Sequence, residues 1–183
     1  MRIIAGKYRG RKLKAVPGMK TRPTGDRVRE ALFSILGDMI EGARVLDLFA
    51  GTGALGLEAV SRGAERAVLV EKDPAAAAVI RENIAALGAR PAAELIADDW
   101  IAALESLAGR GDPFDLVLAD PPYLDRAGEN ILAGIGRSGI LTQDGLAVLE
   151  HPVEAEGSVP IEGWRLLVRK KYGRTILSFY SRL

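Results

Sequence analysis

The sequence predicts an α/β protein: a mostly parallel sheet with helices on both faces and an antiparallel hairpin at one edge. Three observations predict it. Short apolar runs alternate with helical segments from residue 45 to residue 150, and strands that alternate with helices pair in parallel through right-handed crossovers. The run Val45-Leu46-Asp47-Leu48 breaks directly into Gly51-x-Gly53-x-x-Gly56 and continues as a helix. The C-terminal stretch 164–183 reads as two strands around Tyr172-Gly173. At 183 residues the chain is one domain, divided here into a basic N-terminal β-hairpin over 1–20 and a catalytic core over 21–183.

Residues 1–16 read as two short strands around a turn from Gly6 to Gly10. Pro17 to Arg22 is a basic loop. Asp26 is expected to cap a helix whose inner face is Val28, Ala31, Leu32, Ile35 and Leu36, with Arg27, Arg29 and Glu30 mostly outside it. Gly37 or Gly42 ends that helix. The apolar run from Val45 to Leu48 is a buried strand, and Ala54–Ser61 the helix after it. Ala67–Val70 is a second strand. Asp73 and Pro74 open a helix that ends at Gly88. Ala93–Ala97 is a third strand, Ile101–Ala108 a helix, Phe114–Ala119 a fourth strand, and Ala127–Arg137 another helix. Strands Leu146–Glu150, Trp164–Tyr172 and Arg174–Tyr180 complete a sheet of seven.

The glycine loop carries the first chemical signal. Its first glycine permits a tight turn, the second lets backbone approach a ligand, and the third lets helix pack on strand. The new helix start offers N–H groups to polar ligand atoms. Such a loop also fits a nicotinamide or flavin site. Asp47 argues otherwise, because a carboxylate there repels a pyrophosphate and suits a cofactor bearing a sulfonium and an ammonium, S-adenosylmethionine. Glu71 follows the second strand at a spacing that reaches ribose hydroxyls. Asp98-Asp99-Trp100 follows the third strand, where an acid accepts from an adenine amino group and Trp100 covers the ring. Asp99 is favoured over Asp98 and is also a fitting N-cap.

Asp120-Pro121-Pro122-Tyr123 is the sharpest signal. It stands at the carboxyl end of a strand, where open α/β sheets bind ligands. Two prolines remove two N–H donors and leave carbonyls beside a carboxylate. That acceptor-rich edge suits an NH₂ group, and Tyr123 offers a face for a base taken out of its stack. The residues point to methylation of a nucleobase amine.

Charge is strongly divided. Residues 1–30 carry ten Lys/Arg against two acids, +8, and residues 164–183 carry six against none, +6. The middle has nine against twenty-two, −13. Basic segments that flank an acidic core suit a nucleic-acid surface built from the termini. With no cysteine there is no disulfide or thiolate site. His151 alone makes no metal centre and reads as a solvated loop residue. No apolar run reaches membrane-spanning length and the start lacks a secretory h-region, so a cytoplasmic protein is expected.

The blocks Arg2–Leu13, Thr21-Arg22-Pro23-Thr24 with Asp26–Phe33, Asp47–Gly56, Asp120–Tyr123 and Lys171-Tyr172-Gly173 together resemble the RsmD family of bacterial 16S ribosomal RNA guanine-N2 methyltransferases. That resemblance implies a Rossmann-like class I methyltransferase fold and transfer of a methyl group from S-adenosylmethionine to one guanine 2-amino group. It implies a monomer acting on 16S rRNA in an assembling small subunit, with no metal and no membrane. Asp120, Pro121 and Tyr123 are then catalytic. Asp47, Phe49, Ala50, Gly51, Gly53, Glu71, Asp99, Trp100, Arg22 and Thr24 hold the cofactor. Lys7, Arg9, Arg11, Lys12, Lys14, Arg27, Lys170, Lys171 and Arg174 face RNA. The competing readings are a DNA or RNA adenine-N6 methyltransferase, a nicotinamide-dependent oxidoreductase and a non-catalytic RNA-binding protein.

Overall fold

The computed structural model describes residues 1–16, 23–122, 127–155 and 161–183. The basic loop at 17–22, which includes Arg22, and Tyr123 lie outside them, as does the Thr24 side chain. Among the described residues, no helix is long and apolar enough to cross a membrane.

The elements in chain order are α1 (Pro23–Leu36), β1 (Arg44–Asp47), α2 (Ala54–Ser61), β2 (Arg66–Val70), α3 (Pro74–Leu87), β3 (Ala93–Ile96), α4 (Trp100–Gly109), β4 (Phe114–Ala119), α5 (Ala127–Ser138), β5 (Leu141–Pro152), β6 (Trp164–Tyr172) and β7 (Thr175–Arg182). The seven strands lie in the order β3-β2-β1-β4-β5-β7-β6. β1 to β5 pair in parallel, and β7 pairs antiparallel with both β5 and β6. Two successive reversals leave β6 running the same way as β4, so its carboxyl end lies at the same sheet edge.

Alternate residues of each central strand feed opposite cores. Val45, Ala67, Leu69, Leu116 and Leu118 pack with α1, α2 and α3. Leu46, Val68, Val70, Val117 and Ala119 pack with α4 and α5. Burial on both faces is why these strands are continuous apolar runs. The chain caps its helices from within: Asp73 accepts from Ala76 N at 2.8 Å to start α3, and Gly88, at φ +67°, ends it.

Several expectations need correction. Helix α1 begins at Pro23, so Asp26 lies in its first turn. There its carboxylate faces the positive end of the helix and pairs with Arg29 at 3.2 Å. The inner face is Val28, Arg29, Leu32, Phe33 and Leu36, while Ile35 is 36% exposed. Arg29 is only 4% exposed because its guanidinium meets Glu58 at 3.6 Å and donates to Arg2 O at 2.6 Å. Gly37 follows the last residue of α1. Strand β5 starts at Leu141, five residues before Leu146, because a register shift against β4 absorbs the turn-like Thr142–Gly145. The turn between β6 and β7 is Gly173-Arg174, with Gly173 at φ +63°. His151 is a half-buried residue of β5, its Nε2 2.9 Å from Ser178 Oγ.

The N-terminal segment folds back on itself as expected, but through a single antiparallel bridge, Arg2 to Lys12, rather than two full strands. Ile3 N, Gly10 N and Leu13 N bond across the arm, to Arg11 O, Ile3 O and Met1 O, and α2 satisfies other backbone donors. Ile4 N and Ala5 N donate to the buried Glu58 carboxylate at 2.8 and 3.0 Å, and Tyr8 N donates to Ser61 Oγ at 2.9 Å. Arg62 Nε donates to the same Glu58 at 2.8 Å. This arm therefore lies along α2, with Ile3, Tyr8 and Leu13 in the core.

Gly6 is where the arm meets α2 most closely. It has φ +78°, and a Cβ there would stand 1.7 Å from Ser61 O. Gly10 has a similar φ of +80° with open space around it. Gly6→Ala is expected to destabilise the protein by about 2–4 kcal/mol and Gly10→Ala by about 1 kcal/mol, since only the first adds a clash to the backbone strain. Urea unfolding of both variants checks this, with equal losses counting against the close contact.

Candidate active site

The strand order reverses between β1 and β4, the position at which open α/β sheets bind ligands beyond their carboxyl ends. Asp47 ends β1 and is paired in register with Leu69 on one side and Leu118 on the other. Glu71 is one residue beyond the end of β2, and Asp120 one residue beyond the end of β4. Register alone thus gathers three carboxylates at one edge.

Asp47 is fully buried. Its Oδ2 accepts from Gly56 N at 3.1 Å, which places a carboxylate beneath the start of α2. Its Oδ1 forms no hydrogen bond. Burial raises the Asp47 pKa to about 7, the backbone amides of Gly56 and Phe49 oppose that rise, and the charges of Asp120 and Glu71 add to it. A buried acceptor without a donor, under repulsion from two neighbouring carboxylates, is a site that lacks positive charge.

The glycine loop over this edge is held from outside itself. Gly51 N donates to Glu71 Oε2 at 2.8 Å, and Asp73 N to Glu71 Oε1 at 2.8 Å. Gly53 N closes a turn on Ala50 O at 2.6 Å. Ala50 N donates to Val70 O at 3.0 Å, which fastens the loop to the end of β2. Gly51 has φ +56° with nothing within 4 Å of a built Cβ, so this glycine leaves room for a ligand. The second glycine has a packing role as well. A Cβ on Gly53 would stand 2.9 Å from Leu69 Cδ2, so Gly53 lets the loop sink onto the core. Gly56 meets the same Leu69 at 3.0 Å, as expected of a helix-packing glycine.

Asp99 caps α4, its Oδ1 accepting from Ile101 N at 3.0 Å, while Asp98 accepts from Asp99 N at 2.7 Å. Trp100 is half-buried and packs on α5, where a Cβ on Gly134 would touch its ring at 2.7 Å. The Phe49 ring lies 6.3 Å from it, tilted 47°. Asp120 is exposed, and Pro121 beside it is half-buried.

The basic residues fall at two levels. Lys170 and Lys171 stand near the carboxyl end of β6, at the edge that bears Asp120. Arg174 follows in the turn and pairs with Glu154 at 2.9 Å. The tip of the arm, with Lys7 and Arg9, lies by Ser61 at the far end of α2. An eight-residue helix is about 12 Å long, so the tip is that far below the glycine loop. Lys12 is exposed on the returning limb, and Arg27 on α1. Arg11 and Lys14 are engaged with α3, through Ala86 O and Glu82.

Sequence reasoning missed Glu58, Arg29 and Asn83. Glu58 is the lone charge in the otherwise apolar helix Ala54–Ser61, and that isolation is the available signal of a paired, buried carboxylate. Asn83, buried in α3, bonds both to the arm at Lys14 and to the glycine loop at Thr52 O.

Known proteins place the same chain. The family model described as conserved hypothetical protein 95 matches residues 1–181. Ribosomal RNA small subunit methyltransferase D of Escherichia coli K12 is 38% identical over 182 residues, spanning 100% of this chain and 90% of that protein. Its Haemophilus influenzae namesake is 35% identical over 99% of this chain and 93% of that protein. A solved Escherichia coli structure described as a methyltransferase superposes with a TM-score of 0.86 at 36% identity, covering 100% of this chain and 97% of that one. The seven-stranded order, the antiparallel edge and the glycine loop are those of a Rossmann-like class I methyltransferase fold, and the chain belongs to the RsmD family, that of ribosomal RNA small subunit methyltransferase D.

Proposed function

We propose that this protein methylates the 2-amino group of a guanine in 16S ribosomal RNA, with S-adenosylmethionine as methyl donor. The observation that carries the reading is the buried Asp47 carboxylate, whose Oδ1 forms no hydrogen bond, at a strand edge shared with Glu71 and Asp120. Its donor set fits a cationic ligand, and the open space at Gly51 fits the approach of a nucleoside. The cofactor supplies a methyl group on a sulfonium. Asp47 offers its charge to the cationic end, Glu71 accepts from the ribose hydroxyls, Asp99 accepts from the adenine amino group, and Phe49 and Ala50 line the loop. Arg22 and Thr24 are further candidates carried by the resemblance.

Asp120 and the Pro121 carbonyl accept from the guanine amine, which frees its lone pair from the ring. Cofactor held beside Asp47 would supply the methyl group to that nitrogen, and the proton the nitrogen then sheds would be acidic enough to leave without a strong base. Tyr123 stacks on the extruded base. Lys170, Lys171 and Arg174 hold RNA nearest the catalytic edge, with Lys7, Arg9, Lys12 and Arg27 as more distant phosphate contacts. A protein working on ribosomal RNA in the cytoplasm as a monomer is the corresponding setting.

Ionisation of Asp47 enters twice. Its folded pKa is raised above the ordinary carboxylate value, so its contribution to stability is fullest below the unfolded pKa and is lost as pH rises through about 7. Asp47→Asn is therefore expected to stabilise the free protein more at pH 8 than at pH 5, read by thermal melting. Cofactor binding has the opposite sign, because a cation favours the ionised form. Affinity for S-adenosylhomocysteine, which keeps the ammonium, should rise with pH to a plateau above about 7, with proton release seen by calorimetry in buffers of different ionisation enthalpy. A flat affinity profile counts against the Asp47 role.

The chemistry is tested by single-turnover methylation of small-subunit RNA. Asp120→Ala should slow it by on the order of 10²-fold, the effect of losing one well-placed polar group. Tyr123→Ala should weaken RNA engagement by about 1–3 kcal/mol and Tyr123→Phe should be nearly silent. Near-normal turnover in Asp120→Ala removes that residue from the mechanism.

A further inference from the structure

Asn83 joins two parts of the protein whose roles are separate in the reading above. It sits on α3, is 1% exposed, and uses its whole amide. Oδ1 accepts from Lys14 N at 2.7 Å. Nδ2 donates to Lys14 O at 3.2 Å and to Thr52 O at 2.9 Å. Lys14 closes the returning limb of the N-terminal arm, and Thr52 lies between the first two glycines of the loop. A second contact joins the same two segments: Thr52 Oγ1 donates to Met1 Sδ at 3.3 Å. Met1 and Lys14 are themselves neighbours, since Leu13 N donates to Met1 O at 3.1 Å.

The loop needs such a restraint. Gly51 and Gly53 both hold positive φ, and glycine gains most from disorder when released. Glu71 restrains the loop at Gly51 N from the β2 side. On the α3 side, the Asn83 amide holds the Thr52 carbonyl. The basic tip of the arm lies at the far end of α2, so its limbs have a function that its charges do not explain.

Resting on the cofactor reading above, we propose that Asn83 is a positioning residue for the cofactor loop, and that the N-terminal arm braces that loop through it. The arm is then part of the cofactor site as well as a phosphate-binding surface. Binding of cofactor selects a loop already held in shape, and loosening the Thr52 carbonyl charges each binding event with the ordering of two glycines.

Two variants separate bracing from general stability. Asn83→Ala removes all three hydrogen bonds. Asn83→Asp keeps the acceptor for Lys14 N and loses both donors, so the arm stays attached while the loop is released. Both should bind S-adenosylhomocysteine about tenfold more weakly by calorimetry, the scale of one or two lost hydrogen bonds. Amide exchange should accelerate over residues 51–53 in both variants, and over the arm chiefly in Asn83→Ala. Affinity for a small-subunit RNA fragment without cofactor should stay unchanged in Asn83→Asp. Replacement of Lys7, Arg9 and Lys12 together should give the reverse split, with weaker RNA binding and unchanged cofactor affinity. If both Asn83 variants melt lower yet bind S-adenosylhomocysteine as the unsubstituted protein does, Asn83 is only a core residue and the inference fails. Should Asn83→Ala not fold, unchanged cofactor affinity in Asn83→Asp alone overturns it. Absence of S-adenosylhomocysteine binding in the unsubstituted protein overturns the cofactor reading, and this inference with it.

Discussion

A carboxylate with no access to water holds the centre of this structure together. Asp47 ends the first strand, fills no apolar role, and spends one oxygen on the amide of Gly56. That bond fixes how helix α2 leaves the strand. It therefore fixes the glycine loop between them, which is further anchored by Ala50 N on Val70 O. The two glycines that face Leu69 allow α2 to come down far enough for the bond to form. Loop and helix packing are one arrangement, joined through the bond from Gly56 N to Asp47.

The face of the sheet that carries α2 and α3 is completed by the N-terminal arm. This arm has little secondary structure of its own, and a single bridge does not stabilise a hairpin in water. The donors Ile4 N, Ala5 N and Tyr8 N are satisfied by Glu58 and Ser61, and two guanidiniums surround the same Glu58 carboxylate. Removing one member leaves a buried charge or amide without its partner, which is more destabilising than the bond was stabilising. Arg62 also lies over the Phe33 ring at 4.9 Å, so the polar network merges with the apolar core without a gap. The arm is thus held by polar specificity where its few apolar side chains would hold it only weakly.

Most elements were legible because local rules and tertiary packing agree in them. The central strands are apolar on both faces, and Asp73-Pro74 and Gly88 mark the limits of α3 in the sequence. Asp47 was legible as an acid inside an apolar run, Glu71 and Asp120 as acids following one, and parallel register brought them to one edge. What escaped notice depended on distant partners. Arg29 reads as a solvent-facing residue until Glu58 is known to lie beneath it. Ile35 reads as core, yet it is 36% exposed while Arg29 takes a place on the inner face. Thr142–Gly145 has turn composition, yet it lies within β5 as the extra length of a register shift. His151 lies in strand, although its flanking Pro152 suggests a loop. The packing role of Gly53 was hidden because the loop pattern gives no sign of Leu69, which approaches from β2.

The same dependence on distant partners explains why the site is not optimised for stability. A buried Asp47 with one oxygen lacking a donor, near two other carboxylates, opposes folding once it is ionised. An asparagine at that position would keep the shape without the charge. What the charge adds is a preformed potential that favours a cation and disfavours a pyrophosphate, in a place where water cannot screen it. The surrounding network restrains the loop from three directions, with Gly56 N donating to Asp47, Gly51 N to Glu71 and Asn83 Nδ2 to Thr52 O. Each restraint comes from a different element, β1, the end of β2 and α3. The electrostatic discrimination at the site is therefore set by the packing of one whole face of the sheet, and a change in α3 or in the arm reaches this strand edge through the Asn83 amide and the Thr52 carbonyl it holds.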